Sequence, residues 1–252
     1  RIMSYNILNP NWGGNAIDLG RDKNVANILL YYMPDVVGLQ ETYSGWHSAL
    51  KKYLVDTGMY AFACQKNNAK SYNMTTFMYN TQTVKLVEEY VIDLDKNSDI
   101  RVFSVAIFEK LSDGKRFIVT NTHPAPTGQA ENYARNFADM MRISTEQMEK
   151  YKDIPVIQTG DFNTKEQSSM YKNYLAATNL KDAGMDAPVD CRIEDAKRTG
   201  EDFAKAKEEL GDLAKTEEDI MSYICFPVQA KKYLEDRKAK EENIATYVIE
   251  EC

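Results

Sequence analysis

The sequence predicts a mixed α/β sandwich, with β-sheets inside and helices outside. Three observations carry that expectation. Through the first two-thirds of the chain, short β-like apolar runs alternate with helical stretches. Ser112-Asp113-Gly114-Lys115 reads as a hairpin turn between two β runs, which argues against a purely parallel sheet. The 252 residues are 43% hydrophobic and 27% charged, the balance of a soluble globular protein with a sizeable core.

Strands are expected at Ile2–Leu8, Val36–Gln40, Thr75–Tyr79, Val102–Glu109, Phe117–Asn121 and Val156–Thr159. Helices are expected at Asp22–Tyr32, Gly45–Thr57 and Ala130–Tyr151. The third carries Phe137, Met140, Met141, Ile143 and Met148, close to helical spacing. The last third changes character. Ile193 to Glu218 is charged and helix-prone, and Lys231 to Glu242 is charged again; both read as solvated helix faces. With no repeat or low-complexity linker, residues 1–252 read as one domain with a charged helical insertion around 193–218.

The formal net charge is −7. A protein that holds nucleic acid by bulk charge is usually basic, so phosphate chemistry here requires local positive charge, most simply a metal ion. No apolar run approaches the ~18 residues of a membrane helix. The compartment stays open between secreted and cytoplasmic, and a monomer is expected. Cys64, Cys191, Cys225 and Cys252 are scattered without metal-ligand spacing, as free thiols or disulfides. Asn73-Met74-Thr75 fits a glycosylation acceptor. The chain opens on Arg1, already in strand-like sequence, which suggests a trimmed start.

Four β runs end in polar residues. Asn6 lies late in the first, Glu41 follows the second, His123 closes RFIVTNTH, and Asp161 and Asn163 follow Val156–Thr159 in GDFN. Each has a plainer reading. Asn6 would cap a turn before NPNWGGN, Glu41 would sit at a helix N-terminus, His123 would be a loop histidine, and Asp161 with Asn163 would form an Asx turn. Together they require four coincidences at four strand ends, where open α/β sheets place ligands. His47, the other histidine, falls in a helical stretch and is expected on the surface. Oxygen ligands from Glu, Asp and Asn suit a hard cation, Mg²⁺ first, with Mn²⁺ or Ca²⁺ also fitting. The turn-rich Asn9, Asn11 and Trp12, and the segment 67–73, read as cleft-lining loops or ordinary turns.

SYNIL, GLQET, TNTHPAP and TGDFN, in this order and spacing, resemble the endonuclease/exonuclease/phosphatase superfamily over roughly residues 1 to 165. TTFMYNTQTVKLVEEYVIDL looks like that family's middle hairpin. The resemblance implies a four-layer α/β sandwich and a divalent-metal phosphoesterase acting on a small-molecule or nucleic-acid phosphoester. It implies Glu41 as principal metal ligand with Asn6 beside it. It makes Asp161 the residue that orients or activates water, Asn163 the one that holds the scissile phosphate, and His123 the one that binds phosphate and assists the leaving group.

The chain departs from the family pattern near its end. The family's Asp-Tyr-Ile strand resembles IMSYICF here, with Ser222 at the Asp position and Asp219 three residues earlier. IATYVIEEC resembles the last strand, and the closing Ser-Asp-His that supplies the general base is absent. Truncation is the expectation that follows, with weak or no activity for the chain as it stands. The alternative is a degenerate, non-catalytic member that binds metal or phosphate.

Overall fold

The computed structural model describes residues 1–9, 20–66, 73–94, 101–183, 204–215, 219–220, 231, 234–235 and 238–239. The chain divides into two compact units, residues 1–180 and 181–252.

In the first unit two four-stranded sheets carry the architecture. The strands are β1 (Ile2–Asn6), β2 (Val36–Gln40), β3 (Tyr60–Ala63), β4 (Phe77–Asn80), β5 (Val84–Asp93), β6 (Val102–Lys110), β7 (Arg116–Thr122) and β8 (Val156–Gly160). One sheet runs β1-β2-β4-β3 and the other β5-β6-β7-β8. Each is mixed: β1 pairs parallel with β2 and β7 parallel with β8, and the remaining pairs are antiparallel. The turn at 112–115 does join antiparallel β6 and β7.

Side chains alternate between faces with the period of two that a strand imposes. On β6, Val102, Ala106 and Phe108 enter the cluster between the sheets, while Phe103, Val105 and Ile107 face helices α3 (Ala130–Lys150) and α4 (Ser169–Thr178). On β2, Val36 joins the inter-sheet cluster, whereas Val37 and Leu39 pack with α1 (Asp22–Tyr32) and α2 (Ser44–Leu50). Helix, sheet, sheet and helix thus stack as four layers, as expected. Helix α3 buries Tyr133, Phe137, Met140 and Ile143 at helical spacing, with Met141 and Met148 half-buried. Helix α1 ends where Met33 turns left-handed (φ 45°) ahead of Pro34. After α2 the chain continues as a π-helical turn, Lys51–Val55.

Three expectations require correction. Residues 75–94 do not form a hairpin: β4 is hydrogen-bonded on both edges by β2 and β3, so β5 crosses to the other sheet and pairs with β6. Strand β3 lies where no strand was expected. His47 is not on the surface but 2% exposed, because α2 turns that face inward. Its ring packs at 5.0 Å on Phe62, with Nε2 3.4 Å from the Asn73 carbonyl.

Asn73 is also buried, 1% exposed. Its Nδ2 donates to the Cys64 carbonyl at 2.9 Å and to Ser104 Oγ at 2.7 Å. Its Oδ1 accepts from Thr75 N at 2.8 Å and Thr75 Oγ1 at 2.9 Å. Cys64 is a buried free thiol, pushed up to about 12 by burial and, next, by the Glu89 carboxylate, so it stays protonated and inert.

In the second unit residues 204–210 are helical, followed by a 3₁₀ turn at Gly211–Leu213. Ala206 and Leu210, one turn apart, are buried with Ile220 and Leu234, while Lys205, Lys207, Glu208 and Glu209 face solvent. Ser222, Cys191, Cys225, Cys252, IATYVIEEC and, apart from Ile220, IMSYICF lie outside the described residues. Among the described residues no helix is long and apolar enough to cross a membrane.

Candidate active site

The site begins with a close approach of the two sheets. Gly38 on β2 faces β8, and a Cβ there would lie 2.0 Å from Thr159 Oγ1 and 3.0 Å from Asn121 Cγ. Only a residue without a side chain admits this contact. The pinch brings a buried polar seam into register. Gln40 Nε2 donates to Asn121 Oδ1 at 2.8 Å, and Asn121 Nδ2 donates to the carbonyls of Leu39 at 2.8 Å and Thr76 at 3.1 Å. Ser4 Oγ accepts from Gly160 N at 3.0 Å and from Gln40 Nε2 at 3.2 Å. Buried carboxamides must find partners; here they lock the strands whose ends form the site.

Directly beyond the seam, Glu41 takes a left-handed backbone (φ 63°) and turns a 6% exposed carboxylate into the end of the sandwich. Asn6 Nδ2 donates to Glu41 Oε1 at 3.0 Å and to Asp161 Oδ2 at 2.9 Å. One amino group therefore bridges the two carboxylates. The other Glu41 oxygen, Oε2, accepts from Asn9 N at 2.6 Å. Leu8 N donates to Asn6 Oδ1 at 2.9 Å, which fixes which end of the carboxamide faces the acids.

Asp161 and Asn163 follow β8. Gly160 permits this exit: a Cβ would sit 2.6 Å from the Thr122 carbonyl. Asp161 Oδ1 accepts from Asn163 N at 2.9 Å, so the Asx turn does form. Asn163 is left-handed (φ 50°), a region asparagine tolerates, and its Nδ2 donates to the Pro124 carbonyl at 2.9 Å.

His123 is 5% exposed, with Nε2 3.9 Å from Asp161 Oδ2. That gap is too long for a hydrogen bond. Burial, aided by the Arg101 charge, lowers its pKa to about 4 against the opposing pull of Asp161 and Glu41. The imidazole is thus neutral near pH 7, and the close approach is not an ion pair. Nδ1 is buried with no partner among the described residues. Arg101 Nη1 holds the His123 carbonyl at 3.1 Å, and Asn136 Oδ1 accepts from Ala125 N at 2.9 Å, so the loop itself is fixed. His47 stands apart from this group, buried beside Asn73.

Asn6, Glu41, His123, Asp161 and Asn163 therefore come together in one chain of contacts. A cavity of about 690 Å³ opens beside Asp161 and Asn163. Among the described residues it is lined farther out by Thr127, Thr164, Lys165, Gln167 and Ser168. Sequence reasoning passed over Gln40 and Asn121. The last had a usable signal, since asparagine is depleted in strands and Asn121 sits in an apolar one. Of the expected cleft loops, Asn9 is buried against Glu41, and Asn11, Trp12 and 67–72 lie outside the described residues.

Among the described residues no group of three or more His, Cys, Asp or Glu side chains is arranged to hold a metal. The residues nonetheless fit a hard cation, which typically takes one or two carboxylates and leaves other positions to water and phosphate. Glu41 and Asp161 supply two such oxygens on either side of one nitrogen.

The family model of the endonuclease/exonuclease/phosphatase family matches residues 3–204. Among curated proteins none matches. Solved structures share the fold. An endonuclease/exonuclease/phosphatase family protein from Bacteroides thetaiotaomicron is 20% identical with a TM-score of 0.56, over 69% of this chain and 66% of that one. A mannosyl-6-phosphatase of Bacteroides thetaiotaomicron is 20% identical with a TM-score of 0.58, over 69% of each. TDP2 of D. rerio, in complex with a single-stranded DNA product, is 22% identical with a TM-score of 0.56, over 69% of this chain and 63% of that one. With the match covering most of its length and four-layer order to go with it, this chain belongs to the endonuclease/exonuclease/phosphatase family.

Proposed function

We propose that the chain is a divalent-metal-dependent phosphoester hydrolase. The observation that carries the reading is the Asn6 amino group shared by Glu41 and Asp161 at 3.0 and 2.9 Å, with His123 and Asn163 alongside. Glu41 is the principal metal oxygen; Asn6, expected beside it as a ligand, turns its amino group to the two acids and acts by holding Glu41 and Asp161. A bound Mg²⁺ or Mn²⁺ would supply the positive charge that neutralises phosphate oxygens and the leaving oxygen.

The chain's own groups do the rest. Asp161 keeps Oδ2 toward the centre, where it orients the attacking water and receives its proton as the new P–O bond forms. Neutral His123 and the Asn163 carboxamide flank the scissile phosphate. A phosphate anion against the imidazole would oppose the burial that keeps it neutral. His123 is placed to hydrogen-bond a phosphate oxygen and the departing oxygen as the old P–O bond breaks. Lys165, which carries no ion pair among the described residues, lines the adjoining cavity as a cation for the substrate. The family match runs past the division at residue 180, which supports reading 1–252 as one domain with an insertion around 193–218.

Calorimetric titration of Mg²⁺ and Mn²⁺ into the protein and its Glu41→Ala variant tests this reading, with turnover of small phosphoesters measured before and after chelation. Binding lost in the variant is expected. Equal binding by both proteins would move the metal elsewhere, and chelator-resistant turnover would end the metal-dependent reading.

A further inference from the structure

We propose that Trp46, a helix residue outside the catalytic group, is a positioning residue for the site. Its indole N–H holds the turn that aims two backbone amides at Asn6 and Glu41. The proposal rests on Glu41 being the metal oxygen donor.

Leu8 follows β1 with a left-handed backbone, φ 60°, a conformation that a bulky aliphatic residue seldom adopts without outside support. The support is visible at both of its peptide groups. Trp46 Nε1 donates to the Leu8 carbonyl at 2.7 Å, and Leu8 N donates to Asn6 Oδ1 at 2.9 Å. The reversal turns the next amide, Asn9 N, onto Glu41 Oε2 at 2.6 Å. Each amide fixes one site residue through an atom that the chemistry does not use. Asn6 is held by its oxygen, which leaves its nitrogen for Glu41 and Asp161; Glu41 is held by Oε2, which leaves Oε1 toward the centre.

Trp46 itself cannot drift. It is fully buried among Ile7, Leu39, Leu50 and Leu54, on a helix that begins three residues after Glu41. A buried indole N–H needs an acceptor, and packing alone accounts for that. It does not account for the acceptor being the carbonyl of a left-handed residue with the two clamping amides at Leu8 and Asn9.

The Trp46→Phe variant keeps most of the ring packing and removes the donor. Outer-shell partners of metal sites typically contribute about 10–100-fold in affinity. The dissociation constant for Mn²⁺ should rise by about that factor. In the metal-free protein the Leu8 and Asn9 amides should lose protection against hydrogen exchange. Leu50→Ala, in the same cluster but without a bond to the site, should lower the melting temperature and leave Mn²⁺ affinity unchanged. If Trp46→Phe does not fold, benzothienylalanine at position 46 keeps the shape and removes only the N–H.

A parent protein that does not bind Mn²⁺ would overturn the metal reading, while the exchange data would still judge the clamp. Binding by the parent, with equal affinity and equal protection when the donor is removed, would overturn the role of Trp46. A parallel loss of Mn²⁺ affinity in Leu50→Ala would reduce Trp46 to packing and overturn it equally.

Discussion

Asn163 donates through Nδ2 to the carbonyl of Pro124 at 2.9 Å, tying the loop after β8 to the loop after β7. The same residue takes the left-handed backbone and closes the turn onto Asp161. One side chain thus sets the spacing between Asp161 and His123.

Asn163→Ala should therefore cost stability twice, through the lost hydrogen bond and through alanine's aversion to φ > 0. We expect about 1–3 kcal/mol in urea unfolding. Asn163→Gly relieves the backbone term and should recover part of the stability but little turnover. Equal stability for the two variants would mean that the backbone conformation is not strained.

Acid should destabilise the protein through His47. Burial lowers its folded pKa to about 4 from the ordinary 6.5. Above pH 6.5 the ring is neutral folded and unfolded, and pH has no leverage. As pH falls from 6.5 toward 4, the unfolded chain takes up a proton that the folded one refuses, so stability declines, by at most about 3 kcal/mol from this group. Denaturation at pH 7.5, 6 and 5 should show that slope. His47→Gln should reduce it by about half, since burial lowers the His123 pKa to about 4 as well, and an unchanged slope would assign the loss to other groups.

Gly38→Ala should be among the most damaging single substitutions in the first unit. Its Cβ would overlap Thr159 Oγ1 at 2.0 Å and crowd Asn121, so the sheets would have to separate along the polar seam. Overpacking of this kind costs about 1–3 kcal/mol, and more where buried hydrogen bonds are also broken. A melting temperature within a degree of the parent would show that the seam yields.

Lys165→Met should raise KM for anionic phosphoesters several-fold while leaving Mn²⁺ affinity and the melting temperature unchanged. Lys165 is exposed and makes no ion pair among the described residues, so the fold loses little with it. The effect should weaken as salt is added, because screening removes the same attraction. An unchanged KM would place the substrate away from this wall.

Much of the fold was legible because it is written locally. Residues 36–39 are a short run without a polar side chain, followed by Gln40 and an acid, and Asp22–Tyr32 and Ala130–Lys150 carry helical spacing between clear stops. Tyr60–Ala63 offered only YAFA, too short for a period to register. The crossing between β4 and β5 was hidden for a different reason. Three residues separate the strands, which favours a hairpin, but both edges of β4 are claimed by strands distant in sequence. The five site residues were likewise visible as strand endings. The groups that hold them were not: the Gly38 pinch, the Gln40–Asn121 seam and the left-handed turn at Leu8 exist only once the sheets face each other. His47 failed by the same rule, since which face of a short helix turns inward is settled by its neighbours.

At Asn73, folding and glycosylation exclude each other. The amide nitrogen a glycan would use is spent on Cys64 and Ser104, and the threonine hydroxyl an acceptor site requires is spent on Asn73 itself. A sugar added there before the strands close would occupy core volume and leave buried acceptors empty. In any host that glycosylates Asn-X-Thr sites, the outcome is a race between enzyme and folding chain. Modified molecules would be the ones that lost it, so occupancy at Asn73 becomes a mass-spectrometric tally of misfolding rather than a decoration of the native protein.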